Sequence, residues 1–293
     1  MNIVSFLFKN FDKTKTALIS GNRSISYNSL CNNVIHFSKY INSKRDVVVV
    51  HMTNSIEFVI AYFAVLLAGK KVLLVNPMYP DTEVKKYLDL VQSDLLVTNI
   101  DSTLLRENSQ ILCPSIINVH YEYPVISDRA EEGAVIIPTS GTTGEAKLIM
   151  LTHINICRNV LDIAEAYSEL SADDVEMIIL PMTAIFCHTT QMLVPLCVGM
   201  TIDIWTGGFN IPVIIKEMKE RNVSYCQMVP AILRLFAFFY TKLGIELPNF
   251  KRTTVGGEPI SIDELRKVSG VLAPIRIQQG YGMTETSPVI SFN

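Results

Sequence analysis

Short runs of β-branched and apolar residues alternate with helix-length amphipathic segments along most of the chain. This alternation constrains the fold more than any other feature, because it is typical of parallel strands joined by helices that cover the sheet. The sequence therefore predicts an α/β fold with mainly parallel sheets flanked by helices. The predicted strands are residues 47–50, 72–75, 95–98, 135–137, 177–180, 201–205 and 223–228.

Three segments between these runs carry helix-start signals. Asp81 is expected to cap an amphipathic helix. Asn210 followed by Pro212 is typical of another helix start, because proline fits the first turn. Ser261 and Glu264 have the spacing of a capping box. These starts support the α/β prediction.

Composition excludes several classes of protein. With 25 basic and 28 acidic residues the net charge is −3, so no basic excess is available to bind nucleic acid. Hydrophobic residues make up 49% and charged residues 18%, which excludes a disordered chain. The apolar run 58–69 is too short for a membrane span and predicts a buried helix. The N-terminus lacks the basic region of a secretory leader, so we expect a cytoplasmic protein.

The six cysteines have no zinc-site spacing and are expected to be reduced core residues. The length of 293 residues fits one large or two medium domains.

The segment after the apolar run 135–137 combines hydroxyl side chains, two glycines and a lysine. Glycines let backbone N–H groups approach a phosphate, hydroxyls donate hydrogen bonds, and lysine supplies a positive charge. An ordinary solvated turn is the alternative. The segment is not a Walker A motif, because Lys147 is followed by Leu148 rather than by serine or threonine. Its residues are Thr139, Ser140, Gly141, Thr142, Thr143, Gly144 and Lys147.

Together with a second segment downstream, this loop resembles the signature of the AMP-forming adenylating superfamily. That superfamily includes acyl-CoA synthetases, luciferases and peptide-synthetase adenylation domains. The second segment is Gln-Gly-Tyr-Gly-Met-Thr-Glu-Thr-Ser-Pro at 279–288. Shorter similarities at 25–30, 67–77, 229–231 and 255–260 extend the resemblance over nearly the whole chain. The residues at 279–285 are most similar to the corresponding motif of acyl-CoA synthetases.

The resemblance implies that residues 1–293 form an adenylation N-terminal domain, incomplete at its C-terminal end, with two stacked αβ subdomains, tentatively 1–176 and 177–293. It also implies ATP-dependent activation of a carboxylic acid as an acyl adenylate, with release of pyrophosphate. Residues of the loop 139–147 would hold the β- and γ-phosphates, Thr284 would contact the α-phosphate, and Glu285 would hold Mg²⁺. Thr284, Glu285 and Lys147 are therefore the candidate catalytic residues. The candidate adenine-binding residues are Gly257, Glu258, Pro259, Gly280, Tyr281 and Gly282. His153, which follows the loop, is expected to be structural.

The acyl tail is expected among small and apolar residues, which favour an uncharged acyl or aryl group. Each could equally belong to the core. Peptide-synthetase domains for α-amino acids keep an aspartate after the Leu-Pro segment, but residues 183–197 contain no acidic side chain. An α-amino acid is thus disfavoured. The candidate tail residues are Ala184, Ile185, Met228, Val255, Gly256 and Met283.

Two departures from the family pattern affect these expectations. Ala184 stands where the family usually has histidine or an aromatic residue. The sequence also ends at Asn293, shortly after the second motif, so we expect an N-terminal portion of a longer enzyme whose C-terminal domain supplies a catalytic lysine. On that expectation the 293-residue chain alone would have little or no activity.

Three functions remain open at this stage. The first is transfer of the acyl group to coenzyme A. The second is a stand-alone adenylation enzyme that loads the thiol of a carrier protein, and the third is a fragment that binds ATP without ligation. The implied small molecules are a carboxylic acid, ATP, Mg²⁺ and coenzyme A.

Overall fold

The computed structural model describes residues 1–9, 12–101, 105, 109–140 and 146–293. Thirteen strands are named in the described part, and they form three hydrogen-bonded groups. Their bounds are β1 Thr16–Ser20, β2 Arg23–Ser26, β3 Val47–His51, β4 Lys71–Leu74, β5 Leu95–Thr98, β6 Gln110–Leu112, β7 Gly133–Ser140, β8 Ala146–Thr152, β9 Val175–Ile178, β10 Thr201–Ile204, β11 Arg252–Val255, β12 Arg276–Gly282 and β13 Val289–Phe292.

One sheet has six strands in the order β6-β5-β3-β4-β7-β8. All neighbours are parallel except β7 and β8, which form an antiparallel hairpin. Residues 58–67 of the predicted apolar run lie in the helix Ile56–Leu67, which packs on this sheet and is almost entirely buried, as the sequence predicts.

The other strands assemble in the orders β2-β1-β10-β9 and β11-β12-β13. Tyr225 joins these two groups, because it forms parallel bridges to Glu176 of β9 and to Arg252 of β11. The segment 223–228 is therefore not the regular strand that its sequence predicts, but a series of single bridges between two strands.

The sheets confirm the predicted α/β class. The tentative subdomain boundary after residue 176 stays a prediction, and it lies inside β9. The N-terminal strands β1 and β2 belong to the sheet of β10, because Leu18 and Ile19 pair with Ile202 and Asp203. The core consists of two apolar clusters. The larger contains residues of most helices and strands, and the smaller includes Val49 of β3 and Leu73 of β4.

The helices begin largely where local sequence signals place them. Asn210 and Ser261 are N-caps whose side chains accept hydrogen bonds from backbone N–H groups. Asp81 does not cap its helix as predicted, because Pro80 is the N-cap and Asp81 is the first helical residue. The helices are α1 Tyr27–Ser38, α2 Ile56–Leu67, α3 Asp81–Leu90, α4 His153–Ala166, α5 Ile185–Cys187, α6 Val194–Val198, α7 Ile211–Glu220, α8 Pro230–Leu243 and α9 Ile262–Leu272.

A π-helical segment, His188–Leu193, connects α5 to α6. Such segments are often found near functional sites. No helix in the described ranges is long and apolar enough to cross a membrane. All six cysteines are free, and five of them are buried as predicted, whereas Cys113 is exposed.

Candidate active site

Two adjoining clefts lie where the six-stranded sheet meets the other two groups of strands, which Tyr225 joins. The larger has a volume of about 440 Å³ and lies between the ends of β4 and β7 and the segment 181–186. The smaller, of about 190 Å³, lies between α5 and the ends of β11 and β12. Three residues line both clefts: Ile185, Phe186 and Thr284. A ligand that fills both clefts would contact the six-stranded sheet on one side and the strands joined by Tyr225 on the other.

The segment predicted to bind phosphate joins β7 to β8. Thr139 lies opposite Lys147 in the antiparallel register, and Ser140 lies opposite Ala146. Thr139 lines the larger cleft, whereas Lys147 is exposed on β8. The remaining predicted members of the loop lie outside the described residues: Gly141, Thr142, Thr143 and Gly144.

The second motif forms a tight turn after β12. The backbone N–H of Met283 donates to the carbonyl of Pro288 at 3.0 Å, and the hydroxyl of Thr286 donates to the same oxygen at 2.5 Å. Gly282 must be glycine here, because a Cβ atom would collide with that carbonyl oxygen. The turn presents Thr284 to both clefts and leaves Glu285 exposed.

Glycines form much of the smaller cleft. β11 and β12 run parallel, so the turn after β11 lies beside the end of β12. Gly257 has φ +84°, a left-handed conformation that L side chains rarely adopt. The predicted adenine-side residues that line this cleft are Gly257, Gly280, Tyr281 and Gly282. Glu258 and Pro259 are exposed and line neither described cleft.

The predicted tail residues separate into two groups. Ala184 and Ile185 line the larger cleft, and Ile185, Gly256 and Met283 line the smaller. The other two predicted tail residues, Met228 and Val255, are completely buried and form a bridge with each other beneath the clefts. They therefore belong to the core rather than to a cleft wall.

Phe186 is a cleft residue that sequence reasoning missed. Its ring would lie 3.3 Å from a Cβ atom at position 256, so the missing side chain of Gly256 leaves room for the ring. Phe186 follows the Leu-Pro segment at 180–181 by five residues, and that spacing is the signal that could have identified it. The other missed residues that line the larger cleft are Leu74, Asn76, Tyr79, Ile137, Pro138, Pro181 and Thr183.

A buried carboxyl group lies behind this wall but not in a cleft. Glu176 of β9 accepts hydrogen bonds from the side-chain amides of Gln191, at 3.0 Å, and Gln227, at 3.4 Å. Burial raises the pKa of Glu176 to about 8, although these hydrogen bonds and the charge of Arg252 act in the opposite direction. Glu176 is thus protonated near neutral pH and is not in position to pair with an amine in either cleft.

His153 has a structural position. Its Nδ1 accepts a hydrogen bond from the backbone N–H of Ile3 at 3.3 Å, and its side chain is buried. Burial is the main reason that its pKa is lowered to about 4, so the imidazole is neutral. His153 does not line either cleft.

Glu285 is the residue predicted to hold Mg²⁺. In the part of the chain that the structure describes, no group of three or more histidine, cysteine or acidic residues could form a metal cage. An exposed single carboxylate beside Thr284 fits the way proteins hold Mg²⁺, which keeps several waters and shares its coordination with substrate phosphates.

The family model described as AMP-binding enzyme matches residues 9–293. The chain belongs to this family. Among curated relatives, 4-coumarate–CoA ligase 1 of Arabidopsis thaliana is 24% identical over 330 aligned positions, which cover 100% of this chain and 59% of the relative. Tyrocidine synthase 3 of Brevibacillus parabrevis is 24% identical and aligns with 93% of this chain and 4% of its own length.

Solved structures share the fold. A long-chain-fatty-acid–CoA ligase from Archaeoglobus fulgidus matches with a TM-score of 0.84 at 21% identity, over 100% of this chain and 66% of that one. The AMP complex of o-succinylbenzoate coenzyme A synthetase from Bacillus subtilis matches with a TM-score of 0.82 at 19% identity, over 99% and 76%. This chain thus has the fold of the N-terminal portion of such ligases, and it spans 59% of the length of the Arabidopsis relative.

Proposed function

We propose that this chain binds MgATP and a carboxylic acid in the two clefts, as part of an enzyme that forms an acyl adenylate and releases pyrophosphate. The observation that carries the proposal is the meeting of two sequence motifs at one cleft. Thr139, which begins the first motif, and Thr284 of the second motif are 145 residues apart in sequence yet line the same cleft.

The larger cleft would take the phosphates and the reacting carboxylate. Thr139 and the following loop would donate hydrogen bonds to the β- and γ-phosphates, and Lys147 would neutralise the charge of the departing pyrophosphate. Thr284 would hold the α-phosphate so that a carboxylate oxygen approaches the phosphorus in line with the leaving oxygen. Phosphoryl transfer of this kind depends on positioning and on neutralising charge at the phosphate oxygens.

Glu285 would hold Mg²⁺ at the mouth of the cleft, where the ion supplies positive charge to the phosphate oxygens. The glycines of the smaller cleft would let adenine lie against the backbone, with the exposed ring of Tyr281 available to stack on it. The absence of side chains at Gly257 and Gly280 favours a flat ligand there.

The acid would have an uncharged tail. Ala184, Ile185, Phe186 and Met283 contribute apolar or small surface to the clefts, whereas Glu176 is buried away from them. A cationic α-amine would therefore find no carboxylate partner among the residues that line the described clefts, and an unpaired buried charge is costly.

Coenzyme A is the acceptor that we propose for the acyl group, because the residues of the second motif resemble those of the corresponding motif in acyl-CoA synthetases. A carrier-protein thiol is the alternative, and the similarity to tyrocidine synthase 3 keeps it open. Incubating the longer enzyme, with its expected C-terminal domain, with acid, MgATP and either acceptor separates these two possibilities, because only the true acceptor gives a thioester.

Calorimetric titration of MgATP tests the central proposal. We expect the Lys147→Ala, Gly144→Val double variant to lose at least about ten-fold in affinity, because it removes a charge and blocks close backbone approach to the phosphates. Lys216→Ala, on the exposed side of α7, is the control and should bind as wild type does. Equal affinity in the double variant would show that the loop does not bind the phosphates.

A further inference from the structure

Asn159 is a half-buried polar residue of α4. It lies three residues after Ile156 and four before Ile163, which are buried, so it borders the apolar side of the helix. Its side-chain amide donates to the carbonyl of Val289 at 2.7 Å and accepts from the N–H of the same residue at 3.2 Å. One side chain thus satisfies both backbone polar groups of a residue 130 positions away.

Val289 directly follows the turn that presents Thr284 and Glu285. Within the turn, backbone N–H groups of Thr286 and Ser287 donate to Met283 and Thr284 carbonyls at 3.0 and 3.2 Å. Such short-range bonds fix the shape of the turn. Its first residue continues from β12, which pairs with β11, and the hydroxyl of Thr189 donates to the carbonyl of Ser287 at 3.4 Å. The two bonds from Asn159 attach the end of the turn to α4.

The same helix is joined directly to the phosphate hairpin. β8 ends at Thr152, and Thr152 is the N-cap of α4. Asn159 lies in the second turn of α4, seven residues after that cap. A path of regular backbone therefore leads from Lys147 through β8 and α4 to Asn159, and two hydrogen bonds then connect it to the turn with Thr284.

We propose that Asn159 is a positioning residue that sets the distance between the phosphate hairpin and the Thr284–Glu285 turn. This inference rests on the proposed function, in which both segments contact the same nucleotide. The amide group suits this role because it presents a donor and an acceptor side by side, as a neighbouring strand would. Asn159 itself lines neither described cleft, so it acts through the turn rather than on the ligand.

The test compares Asn159→Ala and Asn159→Asp with wild type in the 293-residue chain. We expect each variant to weaken MgATP binding by about ten-fold, since each loses at least one of the bonds that hold the turn. Aspartate keeps an acceptor for the Val289 N–H but has no donor for the Val289 carbonyl. We also expect the amide of Val289 to exchange with deuterium about ten-fold faster in both variants, because the turn opens more often.

Asn155→Ala is the matched control on the same helix. It removes the side chain that accepts from Thr152 N–H in the capping box, so it weakens α4 without touching Val289. We expect it to lower the thermal midpoint while MgATP affinity and Val289 exchange stay as in wild type. A similar loss of affinity in Asn155→Ala would show that general loosening of α4 suffices, and the positioning role would be wrong.

The two proposals fail in different ways. If the wild-type chain does not bind MgATP, the proposed function is wrong for this chain, while Val289 exchange still reports on the role of Asn159. If wild type binds but both Asn159 variants bind equally well with unchanged exchange, the positioning role is wrong and the proposed function stands. If Asn159→Ala does not fold, the folded Asn159→Asp variant decides by the same two measurements.

Discussion

Replacing Glu176 with glutamine should make the stability of the protein less sensitive to pH. Glu176 is 2% exposed, and its hydrogen-bond partners Gln191 and Gln227 are also buried. The nearest basic group that acts on it is Arg252, whose guanidinium is already paired with Glu169 at 2.7 Å. Burial therefore dominates and raises the pKa of Glu176 from 4.5 to about 8.

This shift fixes the sign and size of the effect. Below pH 4.5 the carboxyl group is protonated in both the folded and the unfolded chain. As the pH rises from 4.5 towards about 8, the unfolded chain releases the proton while the folded protein keeps it. The contribution of Glu176 to the unfolding free energy should thus fall by about 1.4 kcal/mol per pH unit in this window. From pH 5.5 to 7.5 the loss would approach about 3 kcal/mol, as an upper limit.

Urea unfolding of wild type and Glu176→Gln, followed by circular dichroism at pH 5.5, 6.5 and 7.5, measures this difference. Any fixed cost of the glutamine, such as a changed hydrogen bond, cancels when the same pair of proteins is compared across pH. We expect the variant to gain on wild type by about 1 kcal/mol or more per pH unit.

A constant difference between Glu176→Gln and wild type across this range would refute the reasoning. It would mean that the folded protein releases the proton as readily as the unfolded chain does. The buried pair of glutamine amides would then stabilise an ionised carboxylate, and burial would not be the dominant influence on this group.

Two further predictions concern acid stability and substrate choice. Burial lowers the pKa of His188 to about 3, so the contribution of His188 to stability should be lost as the pH falls below 6.5, where the unfolded chain gains a proton. In the same urea assay, His188→Gln should therefore gain stability relative to wild type as the pH falls, and a constant difference between the two proteins would contradict this. In a pyrophosphate-release assay of the longer enzyme that includes the expected C-terminal domain, fatty and aryl acids should be activated in preference to free α-amino acids, and the reverse preference would overturn the proposed uncharged tail.

The sequence predicts most of what is decided locally. Asn210 and Ser261 begin helices because each side chain caps backbone N–H groups of its own first turn, which needs no tertiary context. The burial of α2 follows in the same way from its continuous apolar run. Local signals fail where an adjacent residue can begin the helix instead. Asp81 has the chemistry of a cap, yet the N-cap lies one residue earlier, at Pro80.

Long-range contacts of the candidate site could not be predicted from local patterns. Asn159 and Gln191 are ordinary polar residues in sequence, and their partners lie 130 and 15 residues away. One signal was available, because Asn159 borders the apolar side of its own helix, three residues after Ile156 and four before Ile163. A polar residue at such a position is near enough to the core to reach a partner there, but the sequence does not identify that partner.

Asn54 shows that the arrangement at Asn159 is not isolated. Its side chain donates to the carbonyl of Leu180 at 2.7 Å and accepts from the N–H of Met182 at 2.9 Å, so it holds the segment that leads to Ala184 and Phe186. Asn54 follows β3 of the six-stranded sheet, whereas the segment that it holds follows β9 of the four-stranded group. Strand pairing ends where the two sheets meet, so backbone groups there need other partners. The side chains of Asn54 and Asn159 supply such partners, because each presents a donor and an acceptor to backbone groups of a segment that leads to a cleft.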